Sequence, residues 1–131
     1  MRLKKIIVLI FVCFVCIGFC FSEEILKMEP YQNPEAGHRI FRTDYFSILF
    51  QLDTTTGKLW IVEYNIENDS YKKYVFNSEN LAEGKPQKQG RFTMYPTWNK
   101  WIFILVDQID GTLWRVDWSF DKEKNSLSVI R

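Results

Sequence analysis

Asp53-Thr-Thr-Thr-Gly57-Lys-Leu-Trp60-Ile-Val62-Glu-Tyr64 decides the fold when it is set beside Asp107-Gln-Ile-Asp-Gly111-Thr-Leu-Trp114-Arg-Val116-Asp-Trp118. Both stretches run Asp, three residues, Gly, one residue, Leu-Trp, one residue, Val, an acid and an aromatic, at a constant offset of 54. Upstream, the same offset matches Thr43 with Thr97, Ile48 with Ile102 and Phe50 with Ile104; downstream it matches Ile66 with Phe120. Ungapped agreement over this length marks an internal repeat.

Each copy reads as a β-meander. Phe46, Ile48, Phe50 and Leu52 are apolar at alternate positions, as are Trp60, Val62, Tyr64 and Ile66 beyond the turn. The second copy shows Ile102, Ile104 and Val106, then Trp114, Val116, Trp118 and Phe120. Period two is the pattern of strands with one face buried. The even offset predicts that both copies turn the same face inward, although Phe103 and Leu105 give the second copy an apolar opposite face as well. Asp53 and Asp107 read as turn caps that accept backbone N–H groups, and Gly57 and Gly111 as positions of positive φ. A tight turn pairs Leu52 with Lys58, Phe50 with Trp60 and Ile48 with Val62. Leading strands are expected near His38–Arg42 and Arg91–Tyr95, and return strands at Tyr71–Phe76 and Ser126–Ile130. The fold class is therefore all-β: two antiparallel β-meander units, about 38–76 and 91–131, forming a small barrel or a sandwich. Residues 77–90, with Gly84, Pro86 and Gly90, read as an exposed linker.

The N-terminus has the three-part layout of a secretory signal peptide. Arg2, Lys4 and Lys5 precede a 16-residue uncharged run from Ile6 to Phe21, and Ser22-Glu23-Glu24 turns polar. Cleavage after Cys20 or Ser22 satisfies the need for small residues, and Ser22 is preferred, giving a signal at 1–22 and one β-domain at 23–131. An uncleaved anchor, which would hold the domain to a membrane through the signal segment, and a lipoprotein on Cys20 are the competing readings; Phe19 is bulky where a lipoprotein signal has a small residue. Cleavage removes Cys13, Cys16 and Cys20, every cysteine in the chain. The exported domain would then fold without disulfides and without a thiol nucleophile. It would reside in a periplasm or outside the cell.

The chain of 131 residues has 47% hydrophobic and 25% charged residues, which excludes a disordered polymer. Its 17 basic and 16 acidic side chains give a net charge of +1, which argues against a nucleic-acid partner.

Leu52-Asp53-Thr-Thr-Thr-Gly57-Lys-Leu-Trp60 resembles the strand-turn-strand signature of quinoprotein-type β-propeller repeats, with one residue fewer between Gly and Trp. Segments 42–66 and 91–120 are similar to the paired hairpins of small exported bacterial proteins of unassigned function. The resemblance implies export and a hairpin fold, and it implies neither a quinone nor any other cofactor.

Candidate chemistry is sparse. His38 stands alone, without a nucleophile motif and without the companion ligands a zinc site needs. Glu63, Asp107 and Asp117 are carboxylates of the kind a glycan hydrolase pairs; Asp107 and Asp110 are oxygen donors for a weak Ca²⁺ site. The repeat explains all of them equally well as turn and surface residues. No catalytic or metal residue is assigned. Met94-Tyr95-Pro96-Thr97-Trp98-Asn99-Lys100-Trp101 offers Tyr95, Trp98, Asn99 and Trp101 as an aromatic platform for a protein or glycan. Trp98 has Asp44 at the matching position of the first unit, so the scaffold does not require it. The sequence thus points to a non-enzymatic exported domain binding an envelope or extracellular macromolecule. An assembly protein pairing through sheet edges is the alternative, and a small glycan hydrolase comes third.

Overall fold

The computed structural model describes residues 32–131; the expected signal segment lies outside them. The first sheet contains β1 (His38–Arg42), β2 (Ile48–Asp53), β3 (Leu59–Asn65) and β4 (Ser70–Asn77), paired in sequence order and antiparallel throughout. The second contains β5 (Phe92–Pro96), β6 (Ile102–Asp107), β7 (Leu113–Asp117) and β8 (Ser126–Val129), in the same arrangement. No α-helix occurs among the described residues; Lys122–Lys124 form one 3-10 turn. The barrel alternative is corrected: the two meanders remain separate open sheets. Aromatic side chains fill the space between them, with Phe50 of β2 lying 5.2 Å from Phe103 of β6 and 5.8 Å from Trp118.

The local hydrogen bonds recur at the 54-residue spacing. Asp53 N–H donates to Lys58 C=O and Asp107 N–H to Thr112 C=O, both at 2.9 Å. Gly57 and Gly111 donate back to the Asp carbonyls at 2.9 Å, each glycine with φ of 77°. Thr43 and Thr97 hydroxyls donate to Ile48 and Ile102 carbonyls at 2.8 Å.

This turn geometry corrects the expected register by one residue. Leu52 faces Leu59, Phe50 faces Ile61 and Ile48 faces Glu63. A slip of one exchanges the two faces of a strand, so Leu59 and Ile61 enter the core of the first sheet and Trp60 and Val62 turn outward. Phe46, Tyr64 and Ile66, assigned inward from the alternation, are exposed.

The second sheet buries the opposite face. Phe103, Leu105, Trp114, Val116 and Trp118 are in the core, whereas Ile102, Ile104 and Val106 face outward. The expectation of one common inner face therefore fails. The first sheet has Ile61 inward where the second has Arg115 outward, and Gln51 outward where the second has Leu105 inward. Polar residues at these two positions select the burial, because an unpaired polar group in an apolar core is costly.

Residues 77–90 are more than an exposed linker. Asn77 donates from Nδ2 to Gly57 C=O at 3.1 Å, Leu81 N–H donates to Thr56 C=O at 2.8 Å, and Ala82 is fully buried. Thr54, also buried, accepts the Phe92 N–H at its carbonyl and the Gly90 N–H at its hydroxyl, tying the first turn to the start of β5.

Candidate functional site

An open cleft lies at one end of the first sheet. Asn65-Ile66-Glu67-Asn68-Asp69-Ser70 connects β3 to β4. Asn65 Oδ1 accepts the Glu67 N–H at 2.9 Å and Asn68 Oδ1 accepts the Ser70 N–H at 3.2 Å, so the polar side chains satisfy their own backbone. Asp69 takes φ of 52° to complete the reversal. Ile66, without such a role, projects outward.

The cleft encloses about 580 Å³ between this turn, the end of β3, the start of β4 and the β1–β2 loop. Its apolar lining is Phe46, Tyr64, Ile66 and Tyr71, exposed by 85, 39, 68 and 67%. Glu63, Glu67 and Lys72 supply charge at its margins. Tyr64 donates its hydroxyl to Asp69 Oδ1 at 2.5 Å, and this bond to a carboxylate holds the phenol pKa above its ordinary value. The ring is consequently a neutral, oriented contact surface and a poor nucleophile. An exposed apolar cluster of this kind, rimmed by polar groups, marks an interaction site more often than an isolated surface hydrophobe does.

The matching end of the second sheet is closed. Tyr45 from the β1–β2 loop packs against Trp101, Trp118 and Phe120, with ring centroids 5.4, 5.9 and 4.8 Å away. Lys100 Nζ lies over the Tyr45 and Trp101 rings at 5.3 and 5.2 Å, a cation–π arrangement. Trp118 Nε1 donates to Lys100 C=O at 2.9 Å.

The expected platform is accordingly divided. Trp98 is fully solvent-exposed and Tyr95 is 55% exposed. Asn99 is exposed, but its Oδ1 accepts the Trp101 N–H at 3.0 Å. Trp101 is half-buried in the four-ring cluster, so it closes the core and does not share a free surface with Trp98.

No family model, curated protein or solved structure matches the chain. Function must be read from the residues themselves.

The carboxylates are occupied structurally. Asp53 Oδ1 accepts the Thr55 N–H at 2.8 Å, and its Oδ2 accepts the Thr56 hydroxyl at 2.8 Å. Asp107 Oδ1 accepts the Ile109 N–H at 3.0 Å; its Oδ2 accepts Arg91 Nε and Nη2 at 2.9 and 2.7 Å. Both side chains of the Arg91–Asp107 pair are buried, and Arg91 Nη1 also donates to Pro86 C=O at 2.7 Å. Asp110 pairs with Lys85 and, at 3.4 Å, with Arg91. A guanidinium and an ammonium thus stand where a Ca²⁺ ion was considered. Asp117 is held by Arg115 in a two-bond fork at 2.7 and 2.8 Å. His38 stacks on Trp60 at 6.4 Å and is solvent-exposed. No three His, Cys, Asp or Glu side chains converge on a metal-sized site among the described residues.

Sequence reasoning missed the cleft because it placed Phe46, Tyr64 and Ile66 in the core. One signal was present. Ser47 stands where the second unit has Trp101, so the first unit lacks the large ring that would cover Tyr64.

Proposed function

We propose that this chain is an exported, non-enzymatic β-domain built from two copies of one hairpin unit, and that it binds a segment of another envelope or extracellular protein. The observation that carries the reading is the contiguous exposure of Phe46, Tyr64, Ile66 and Tyr71 around one cleft. Apolar rings held by a rigid scaffold give binding area at low entropy cost. A protein segment is favoured over a glycan because β4, the outer strand of its sheet, begins at the cleft and leaves backbone groups for a peptide to pair with. Removal of residues 1–22 would leave about 109 residues without cysteine, consistent with an oxidising compartment in which no disulfide is used.

The test is capture of envelope proteins on the purified protein, with Tyr64→Ala/Tyr71→Ala beside the parent. A component retained by the parent, identified, purified and shown to lose at least tenfold affinity for the double variant, supports the cleft. Equal binding by both proteins removes it.

A further inference from the structure

We propose that the occupant of this cleft is a second copy of the same chain, stacked head to tail, with the Trp98 loop of one copy entering the Tyr64 cleft of the next. The inference rests on the reading of the cleft as a protein-binding site and names its partner.

The argument starts from the interface already present within the chain. The first sheet turns one face of the unit inward, with Phe50, Leu52 and Leu59; the second turns the other face inward, with Leu105, Trp114 and Val116. Two units that meet through unlike faces make a head-to-tail contact. The two outer faces are then, position for position, the same unlike pair. On the first sheet the outer face carries Leu49, Trp60 and Val62 beside Gln51, and on the second it carries Ile102, Ile104 and Val106 beside Arg115. These side chains are only partly covered within one chain. A contact between unlike faces leaves one of each face open after every addition, so it generates rings or filaments.

The ends of the sheets agree. Inside the chain, Tyr45 of the β1–β2 loop fills the niche made by Trp101, Trp118 and Phe120. Displaced by 54 residues, that niche is Ser47, Tyr64 and Ile66, three residues lining the open cleft. The loop that matches the Tyr45 loop is Thr97–Lys100; Asn99 stands at the Tyr45 position, and Trp98, one residue earlier, is the fully exposed ring of that loop. Ser47 in place of Trp101 widens the niche, and Trp98, one residue before the Tyr45 position, is the free ring available to enter it. Lys100, which lies over the Tyr45 and Trp101 rings of its own chain, brings a positive charge to a margin that carries Glu63 and Glu67 beside Lys72. An exposed ring and an open niche are therefore both present among the described residues, with acidic groups on the niche and a basic group on the loop.

The experiment is sedimentation velocity on the protein as its export host releases it, from about 1 μM to about 1 mM, the weakest association considered. The parent is expected to show an average mass that rises with concentration. Trp98→Asp and Ile66→Asp change two exposed residues at opposite ends of the contact. Each is expected to weaken assembly at least tenfold while the thermal transition stays in place. Mixed in equal amounts, the two variants retain one intact loop and one intact niche, so they are expected to recover a two-chain species and stop there. A parent that is monomeric throughout, variants that assemble like the parent, or a mixture that recovers nothing would each overturn the proposal. A monomeric parent that still retains an envelope protein through Tyr64 and Tyr71 would reject the second copy and keep the cleft. A parent monomeric and without a cleft-dependent partner would reject both.

Discussion

The two Asp–Gly turns share backbone geometry to within a tenth of an ångström in their closing hydrogen bonds, yet they are stabilised by different chemistry. In the first, the Asp53 carboxylate is satisfied by the Thr56 hydroxyl and two backbone N–H groups. In the second, Asp107 is buried and carries Arg91, itself buried, which reaches across to Pro86. Arg91 occupies the position of Gly37 in the first unit. The sheets differ likewise: Trp118 is covered by Tyr45, whereas Tyr64 at the matching position is open to solvent. Two meanders with the same turn geometry can thus support either a closed core or an open cleft, and the neighbouring side chains decide which.

Replacing the paired aromatics breaks this comparison most visibly. Trp118→Ala removes a buried ring and is expected to cost about 3–5 kcal/mol, whereas Tyr64→Ala is expected to cost under about 1 kcal/mol. Urea unfolding of the two variants checks the difference, with equal slopes required for the midpoints to be compared. Comparable losses would mean that Tyr64 is as much a core residue as Trp118.

The turns give a similar contrast. Arg91→Met leaves the buried Asp107 charge without its partner, and a loss of about 3–5 kcal/mol is expected. Thr56→Val removes one neutral donor from the other turn, for about 1 kcal/mol. The double substitution Arg91→Met/Asp107→Leu should recover part of the first loss in the same unfolding measurement, because both buried charges are then absent.

The turn glycines sharpen the comparison further. Both sit at φ of 77°, where an L side chain costs about 1–2 kcal/mol. A Cβ on Gly57 would come 2.8 Å from Leu81 Cδ1, and one on Gly111 would meet open space. Gly57→Ala should therefore exceed Gly111→Ala by about 1 kcal/mol or more, from the overpacking against Leu81. The companion variant Gly57→Ala/Leu81→Ala tests the cause: the excess should shrink.

The smallest effect is electrostatic. Hydrogen bonds from Lys85 and then Thr112 hold the Asp110 carboxyl well below the usual carboxylate range. A lowered folded-state pKa stabilises above the unfolded value, near 4, and that stabilisation is lost as the pH falls further through the folded value. The pair is partly exposed, so the contribution is modest and salt-sensitive. Asp110→Asn is expected to flatten the decline in thermal midpoint below about pH 4. A decline identical to the parent's would assign it to other groups.

Much of this fold is legible in the residues. Period-two alternation located the strands, and the Asp and Gly positions located both turns. The inner face was legible for β2 and β7, whose other sides carry Gln51 and Arg115, and not for β3 and β6, which are apolar on both sides: Trp60 alternates with Leu59 and Ile61, and Phe103 with Ile102 and Ile104. A doubly apolar strand carries no sign of which side meets the core. Trp98 was identified from its mismatch with Asp44, and its exposure follows the same logic. The Tyr64 cleft escaped notice because its residues look like core residues in isolation.

The sequence by itself determined an all-β chain, the two Asp–Gly turns and the arrangement of each meander, since those rest on local backbone chemistry and on spacing. Only the tertiary structure decided the one-residue register, the inner sides of β3 and β6, and the contrast between a filled and an open aromatic niche. Those depend on which surface lies opposite, and a neighbour as distant in sequence as Phe103 or Trp118 is from Phe50 leaves no local mark on the strand that it covers.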